Sequence, residues 1–245
     1  MFDHRHLAAA LESVSSVPAE PIASETDSSA LARQGFGINR AADPLRFIFD
    51  AVIETVARRG YDRTTIERVL SVAQVPAPVF DEHFEDKQDC FLQALDELVC
   101  RLEQQLLEHS HQPASWPERI ELGLRTLLTA LAENPAAARV AMVECLSAGD
   151  ASVARLHSAL ARFVPTLEEG RAYGAEQGSA GSEHPPSQTS AAVIGGIASI
   201  VHRRVLEGHT AELPALLPDL LYFALLPYLG HERAIAAAGM SARAV

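Results

Sequence analysis

From Asp43 to Leu229 the apolar residues return every three or four positions, and glycines, prolines and cap residues separate the runs. That period buries one stripe of a helix, whereas a half-buried strand needs strict alternation. No segment alternates, and no internal repeat of fixed period is present. Aromatic residues supply only 6% of the chain, and Ala, Leu and Glu dominate. Helices favour that mixture and sheets do not. An all-α fold is therefore expected, and 245 residues can build one large core or two modest ones.

The first helix is expected to open at Asp43-Pro44, a cap followed by proline at the first helical position. Its stripe is Leu45, Ile48, Phe49, Val52 and Val56, and Arg58, Arg59 and Gly60 close it. Thr64-Thr65-Ile66-Glu67 reads as a capping box with Thr64 as the cap. It opens a short helix burying Ile66, Val69, Leu70 and Ala73. After Val75-Pro76 a third helix runs over roughly residues 77–84, with Pro78 in its first turn and Phe80 and Phe84 on one face. Asp86 caps a long helix reaching about His109, striped by Phe91, Leu95, Leu98, Val99, Leu102 and Leu106.

Ser115-Trp116-Pro117-Glu118 is a second capping box, for a helix reaching about Asn134. Asn134-Pro135 opens another, ending near Gly149. Asp150 caps the next, which runs past Phe163 with a kink expected at Pro165. Residues 174–187 read as a loop, and two apolar helices follow at about 189–207 and 214–229. The expected organisation is an extension at 1–39 and a three-helix unit at 40–86. A larger helical bundle at 87–230 and a tail at 231–245 complete it.

Several function classes are excluded at this level. A net charge of −12 argues against a generally basic nucleic-acid coat, though not against a local DNA-reading surface. Cys90, Cys100 and Cys145 lack C-x-x-C spacing, which fits buried small side chains in a reducing cytoplasm. The apolar tracts at 191–201 and 213–229 are too short or too broken by proline to read as membrane spans. Neither a P-loop nor a G-x-S-x-G elbow occurs, so no enzyme is expected. No cofactor is expected, and the pairs His4/His6 and His109/His111 lack companions for a metal site.

The two last helices are apolar on more than one face and need partners on several sides. Pairing of two chains through them would bury Ile194, Gly195, Ile197, Val201, Leu217, Leu221 and Leu225. Gly195-Gly196 would allow a close approach. The other reading buries both helices inside one subunit.

Helix, turn, short helix, tight turn and short helix over residues 46–89 is the helix-turn-helix layout. In detail the segment resembles the DNA-binding domain of TetR-family transcriptional regulators. The resemblance rests on the aliphatic first helix, Arg59-Gly60-Tyr61, Thr64-Thr65, Ala73 and Val75 at the turn, His83-Phe84 and Lys87. The remainder resembles the effector-binding and dimerisation bundle of a subgroup of that family. It implies a cytoplasmic homodimer on a palindromic operator, usually a repressor. A small molecule in the bundle would change the separation of the two reading heads.

The departures from the pattern concern charge. Gln74-Val75-Pro76 stands where the family commonly has Gly-Val-Ser, Val79 occupies a threonine position, and Asp81 the position of a phosphate-contacting tyrosine. Between Val75 and Cys90 the one basic residue, Lys87, faces Asp81, Glu82, Glu85, Asp86 and Asp89. Because phosphate neutralisation dominates DNA affinity, contacts must come from elsewhere. The candidates are Arg40, Arg46, Arg63, Thr64, Thr65, His83 and Lys87. Pro76, Ala77, Val79, Asp81 and Glu82 would face the groove, where a carboxylate can accept from a cytosine amino group. Arg58-Arg59 reads as a solvated helix end. His83 has a second reading as a structural hydrogen-bonding residue.

The expected effector site lies in the bundle. Leu98, Leu102, Leu124, Leu128, Met142 and Phe163 are candidate walls, and Glu144, His157 and His202 candidate polar anchors. Ordinary core packing or surface exposure is the other reading of each. The alternative to a ligand-responsive regulator is an interaction or sensor protein whose acidic third helix no longer binds DNA well.

Overall fold

Pro44 opens the first helix in a computed structural model that describes residues 44–109, 115–178 and 185–240. The extension at 1–39, Arg40 and the last five residues fall outside the described residues. Three helices form the head: α1 (Pro44–Arg59), α2 (Ile66–Ala73) and α3 (Ala77–His83). Phe80 and Phe84, both buried, pack ring to ring at 4.9 Å, and Phe49 meets Phe84 edge-on at 5.9 Å. Gln74 ends α2 in the left-handed region, at φ 54°. A side chain there costs about 1–2 kcal/mol that glycine would not.

The long helix α4 (Lys87–His109) follows, capped by Asp86, whose carboxylate accepts from the Asp89 amide at 2.8 Å. The bundle continues with α5 (Trp116–Glu133) and α6 (Pro135–Arg139). A π-helical turn (Val140–Glu144) and a single α turn, α7 (Cys145–Ser147), come next. Then come α8 (Asp150–Ala161), α9 (Val164–Glu176) and α10 (Thr189–Leu206). A 3-10 segment (Thr210–Leu216) leads into α11 (Leu217–Leu229) and α12 (His231–Ala237). No strand occurs among the described residues, so the all-α expectation holds.

Four boundaries differ from expectation. Gly149, not Asp150, caps α8, and Asp150 sits in its first turn. The helix after it ends at Ala161, and Pro165 lies in the first turn of a new helix, where its missing N–H costs little. That helix, α9, runs through Gly174 to Glu176, because Gly170 and Gly174 are buried contact points and not loop residues. A Cβ on Gly170 would lie 2.4 Å from Trp116 Cζ2. Finally, the expected tail forms α12 and buries Ala234 and Ala238 against the bundle.

The apolar interior falls into two clusters, and the division is not at residue 86. The head cluster joins α1–α3 to Cys90, Phe91, Ala94 and Leu95 of α4. It also takes Ala137, Val140, Cys145 and Ala148 from the middle of the bundle. The second cluster is built by α5, α9, α10, α11 and α12 around Trp116, Leu128, Leu213 and Tyr228. Its few buried polar groups are paired. Trp116 Nε1 donates to the Thr166 carbonyl at 2.7 Å, and the Ser190 and Tyr228 hydroxyls meet at 2.7 Å. Residues 210–229 are apolar enough, by length and composition, to cross a membrane. The structure divides them between a 3-10 segment and a 13-residue helix, and places Leu213, Leu220, Leu221 and Leu225 in the core.

Candidate nucleic-acid interface

The corner between α1 and α2 reverses the expected roles of its two threonines. Thr64 is 2% exposed, and its hydroxyl donates to the Gly60 carbonyl at 2.9 Å. It is turned inward and cannot serve a phosphate. Thr65 is exposed and caps α2, its hydroxyl accepting from the Arg68 amide. With the cap at Thr65, Glu67 stands at the second helical position instead of the third, where the capping box needs it. Hydrogen bonds from its own amide and from the Thr65 hydroxyl hold its carboxyl below the usual range. A pair of adjacent threonines before an apolar run leaves the register open by one, and the buried bond to Gly60 decides it.

The same corner gathers charge that the sequence separates. Arg58, Arg59 and Arg63 line an open recess of about 370 Å³. Arg58 is held by Glu54, one turn back on α1, at 2.7 Å. Arg59 and Arg63 have no ion pair among the described residues, and both are exposed. Arg59 is exposed in the last turn of α1, as a solvated helix end would be, and Arg63 follows it by four residues across the Gly60 turn. Arg46 is exposed on α1.

Along α3 the exposed residues are Ala77, Pro78, Asp81, Glu82 and His83, with Pro76 exposed at its cap. Val79 is half-buried and packs in part against the head core. The His83 ring lies edge-on to Phe84 at 6.4 Å. Lys87 is also partly committed. Its ammonium donates to the Tyr61 carbonyl at 3.1 Å and sits 4.1 Å above the Tyr61 ring. Burial, then the charges of Asp86 and Asp62, push the Tyr61 phenol above its ordinary value. α3 therefore shows two carboxylates outward, and the positive charge lies at the neighbouring corner.

α4 carries the connection to the bundle. Arg101 bonds Glu97 on its own helix at 2.8 Å and Asp50 of α1 at 3.3 Å. On the other side Arg155 meets Asp96 and Arg162 meets Glu103, both at 2.6 Å, joining α8 to α4. These pairs are solvent-accessible, so each contributes little to stability.

The effector candidates fall in different parts of the bundle. Leu124, Leu128 and Met142 are buried in the second cluster, and Phe163 packs against it. Leu98 packs against the head cluster instead. Leu102 is half-buried on α4, and His157 is exposed on α8. His202 donates from Nδ1 to the Met142 carbonyl at 2.6 Å; the acceptor fixes the proton on that nitrogen. Glu144 is 7% exposed, but its carboxylate faces the head, accepting from the Tyr61 amide at 3.2 Å and pairing with Arg139 at 3.1 Å. It is committed there and does not project into a bundle pocket. Among the described residues no group of three His, Cys, Asp or Glu converges as a metal site would.

The expected dimer residues mostly face their own core. Ile194, Ile197, Val201, Leu221 and Leu225 are all buried within one chain, and Leu217 is half-buried. The physical reason is that α10 and α11 each carry two apolar stripes, and the larger side chains take the interior. Gly196 is filled by Phe223 of α11, at 2.9 Å from where a Cβ would stand. The stripe left outward on α10 is Ala192, Gly195, Ser199, Arg203 and Leu206, with Phe223 39% exposed on α11.

No protein-family model matches the sequence, and no curated protein does. Solved structures match over most of the chain. The fatty acid degradation regulator FadR from Bacillus halodurans aligns with a TM-score of 0.64 at 18% identity, covering 74% of this chain and 97% of its own. The transcriptional regulator FadR from Bacillus subtilis, in complex with stearoyl-CoA, gives 0.64 at 18%, covering 74% and 98%. AibR, in complex with isovaleryl coenzyme A and operator DNA, gives 0.52 at 15%, covering 69% and 96%.

Proposed function

We propose that this chain, which has the fold of the TetR-family transcriptional regulators, is a ligand-responsive DNA-binding regulator acting as a homodimer. One observation carries the reading. The head presents an exposed α3 beside two exposed guanidiniums that have no ion pair among the described residues, and a single continuous helix joins it to the bundle. Asp81 and Glu82 read base edges, while Arg59, Arg63 and Thr65 hold the backbone. Such a division keeps sequence discrimination in a protein of net charge −12.

Two copies pair through the outer stripe of α10 and Phe223 of α11, and their heads meet successive major grooves of a palindromic operator. The protein acts as a repressor in the cytoplasm, without cofactor, metal or membrane. The effector enters the bundle beside Leu124, Leu128, Met142 and Phe163. Because FadR and AibR were solved with CoA thioesters, stearoyl-CoA and isovaleryl-CoA are the first molecules to test. A ligand shifts the equilibrium only by its differential affinity for the two head separations.

The acidic outer face of α3 favours a second reading, an interaction or sensor protein that does not bind DNA. A gel-shift titration with the gene's own upstream region, at two salt concentrations, separates the two. Specific binding that weakens steeply with salt supports the regulator. An intact dimer that shifts no upstream fragment supports the second reading.

A further inference from the structure

The π turn at Val140–Glu144 is one point where bundle and head are tied by hydrogen bonds that no helix needs for itself. A π turn inserts an extra residue into a helix, re-aims the side chains beyond it, and is common at functional positions. Here the Cys145 amide bonds back five residues to the Val140 carbonyl. The inserted residue turns Glu144 toward the end of α1. Its Oε2 accepts from the Tyr61 amide at 3.2 Å, across 83 residues of sequence. A Cβ on Gly60 would stand 3.4 Å from the same oxygen. Arg139 at 3.1 Å balances the charge, so the buried carboxylate is both paired and hydrogen-bonded.

Tyr61 is gripped from its other side as well. Its carbonyl accepts from Lys87 at the start of α4, and its ring packs against Phe91 at 4.9 Å. Two bundle elements thus hold the amide and the carbonyl of one residue. That residue lies two positions before Arg63 and four before the Thr65 cap. On the far side of the π turn, His202 of α10 donates to the Met142 carbonyl. A continuous set of bonds therefore runs from α10 through Met142 and Glu144 to Tyr61.

We infer that the π turn is the joint through which the bundle sets the position of the DNA-binding corner. Glu144 is a positioning residue for phosphate contact, and His202 is its hold on the bundle side. The inference rests on the DNA-binding reading, but its first readout does not involve DNA. A displacement of α10 moves the Met142 carbonyl, and the rigid π turn passes that displacement to the Tyr61 amide. Side chains on one packed path with discrete bonds transmit such a change without contacting either ligand.

The test is amide hydrogen exchange on the full-length dimer, with upstream-DNA affinity measured in parallel. The variants are Glu144→Leu, Glu144→Gln and His202→Leu. Loss of a hydrogen bond to a charged acceptor should speed exchange at Tyr61 about tenfold or more in Glu144→Leu. Glu144→Gln keeps an acceptor and should recover most of the protection. His202→Leu should speed exchange at Tyr61 while amides beside Trp116 and Leu128 keep wild-type rates, and DNA affinity should fall with it. Wild-type exchange at Tyr61 in His202→Leu overturns the joint, and so does a uniform rise across the bundle. Should Glu144→Leu fail to fold, the other two variants decide. If the wild-type dimer binds no duplex, the regulator reading fails and the joint's assignment to DNA binding fails with it. If DNA is bound and Tyr61 exchange ignores both positions, only the joint fails.

Discussion

Within the head, the corner at residues 58–65 and the helix at 77–83 carry opposite charge. The corner presents Arg59 and Arg63 around an open recess, with the Thr65 cap beside them. The helix presents Asp81 and Glu82. A single basic reading helix would supply affinity and specificity together. Under the regulator reading the affinity comes from the corner, and the helix discriminates at a cost in affinity. The difference teaches that the net charge of a chain says little about the charge of one of its corners.

The largest effect should follow from removing the corner's charge. The double substitution Arg59→Gln, Arg63→Gln should lower operator affinity by about a hundredfold and reduce the salt slope by about 2, uniformly across sequences. Anisotropy titrations at several salt concentrations check this. An unchanged slope would break the comparison at its basic end. On the acidic side, Asp81→Asn should raise affinity for any duplex by about fivefold, since one like charge leaves the neighbourhood of the phosphates. Discrimination against mismatched sites should relax at the same time. Unchanged affinity would place Asp81 away from DNA.

Two substitutions of about 1 kcal/mol test the geometry that connects the two elements. Thr65→Ala should destabilise the head by that amount through loss of the cap. Gln74→Gly should stabilise it similarly, by relieving a side chain at positive φ. Denaturant titration measures both, and a neutral Gln74→Gly would contradict the turn described here. The smallest effect belongs to Arg58→Gln. Its guanidinium is already held by Glu54 on an exposed helix face. Operator affinity should change by less than about twofold, because exposed pairs of this kind are weakly coupled.

Thiol chemistry sharpens the other contrast, between interior and surface. Burial pushes the Cys90 thiol up to about 12 and the Cys145 thiol up to about 11. Both are then protonated and shielded at neutral pH, and only exposed Cys100 should react. One fast thiol per native chain is the expected count with a colorimetric disulfide reagent; three would mean that the head core opens readily.

The order and type of the helices were legible because spacing and caps are local signals. Asp86, Asn134 and the prolines at 44, 117 and 135 each mark a start that the structure keeps. What local patterns left open is which face of a doubly apolar helix turns inward. Ile194, Ile197 and Val201 satisfy a dimer stripe and a core stripe equally well on paper, and packing against Leu213 and Tyr228's cluster takes them inside. The adjacent threonines at 64 and 65 posed the same problem over one residue. Glu144 reads from the sequence as a candidate polar anchor of the bundle, but the amide it accepts from lies 83 residues away. No periodicity reports a contact of that kind. Arg59 and Arg63 became a pair only once the turn at Gly60 was in place.

The most direct test measures binding of the purified protein to the upstream region of its own gene between about 50 and 200 mM salt. Specific binding is expected, the logarithm of its association constant falling linearly with the logarithm of salt at about −0.9 for each phosphate contacted. The Arg59→Gln, Arg63→Gln protein should give a shallower line. A folded dimer that binds no duplex at the lowest salt, or binds with a slope indifferent to those two arginines, would contradict this expectation.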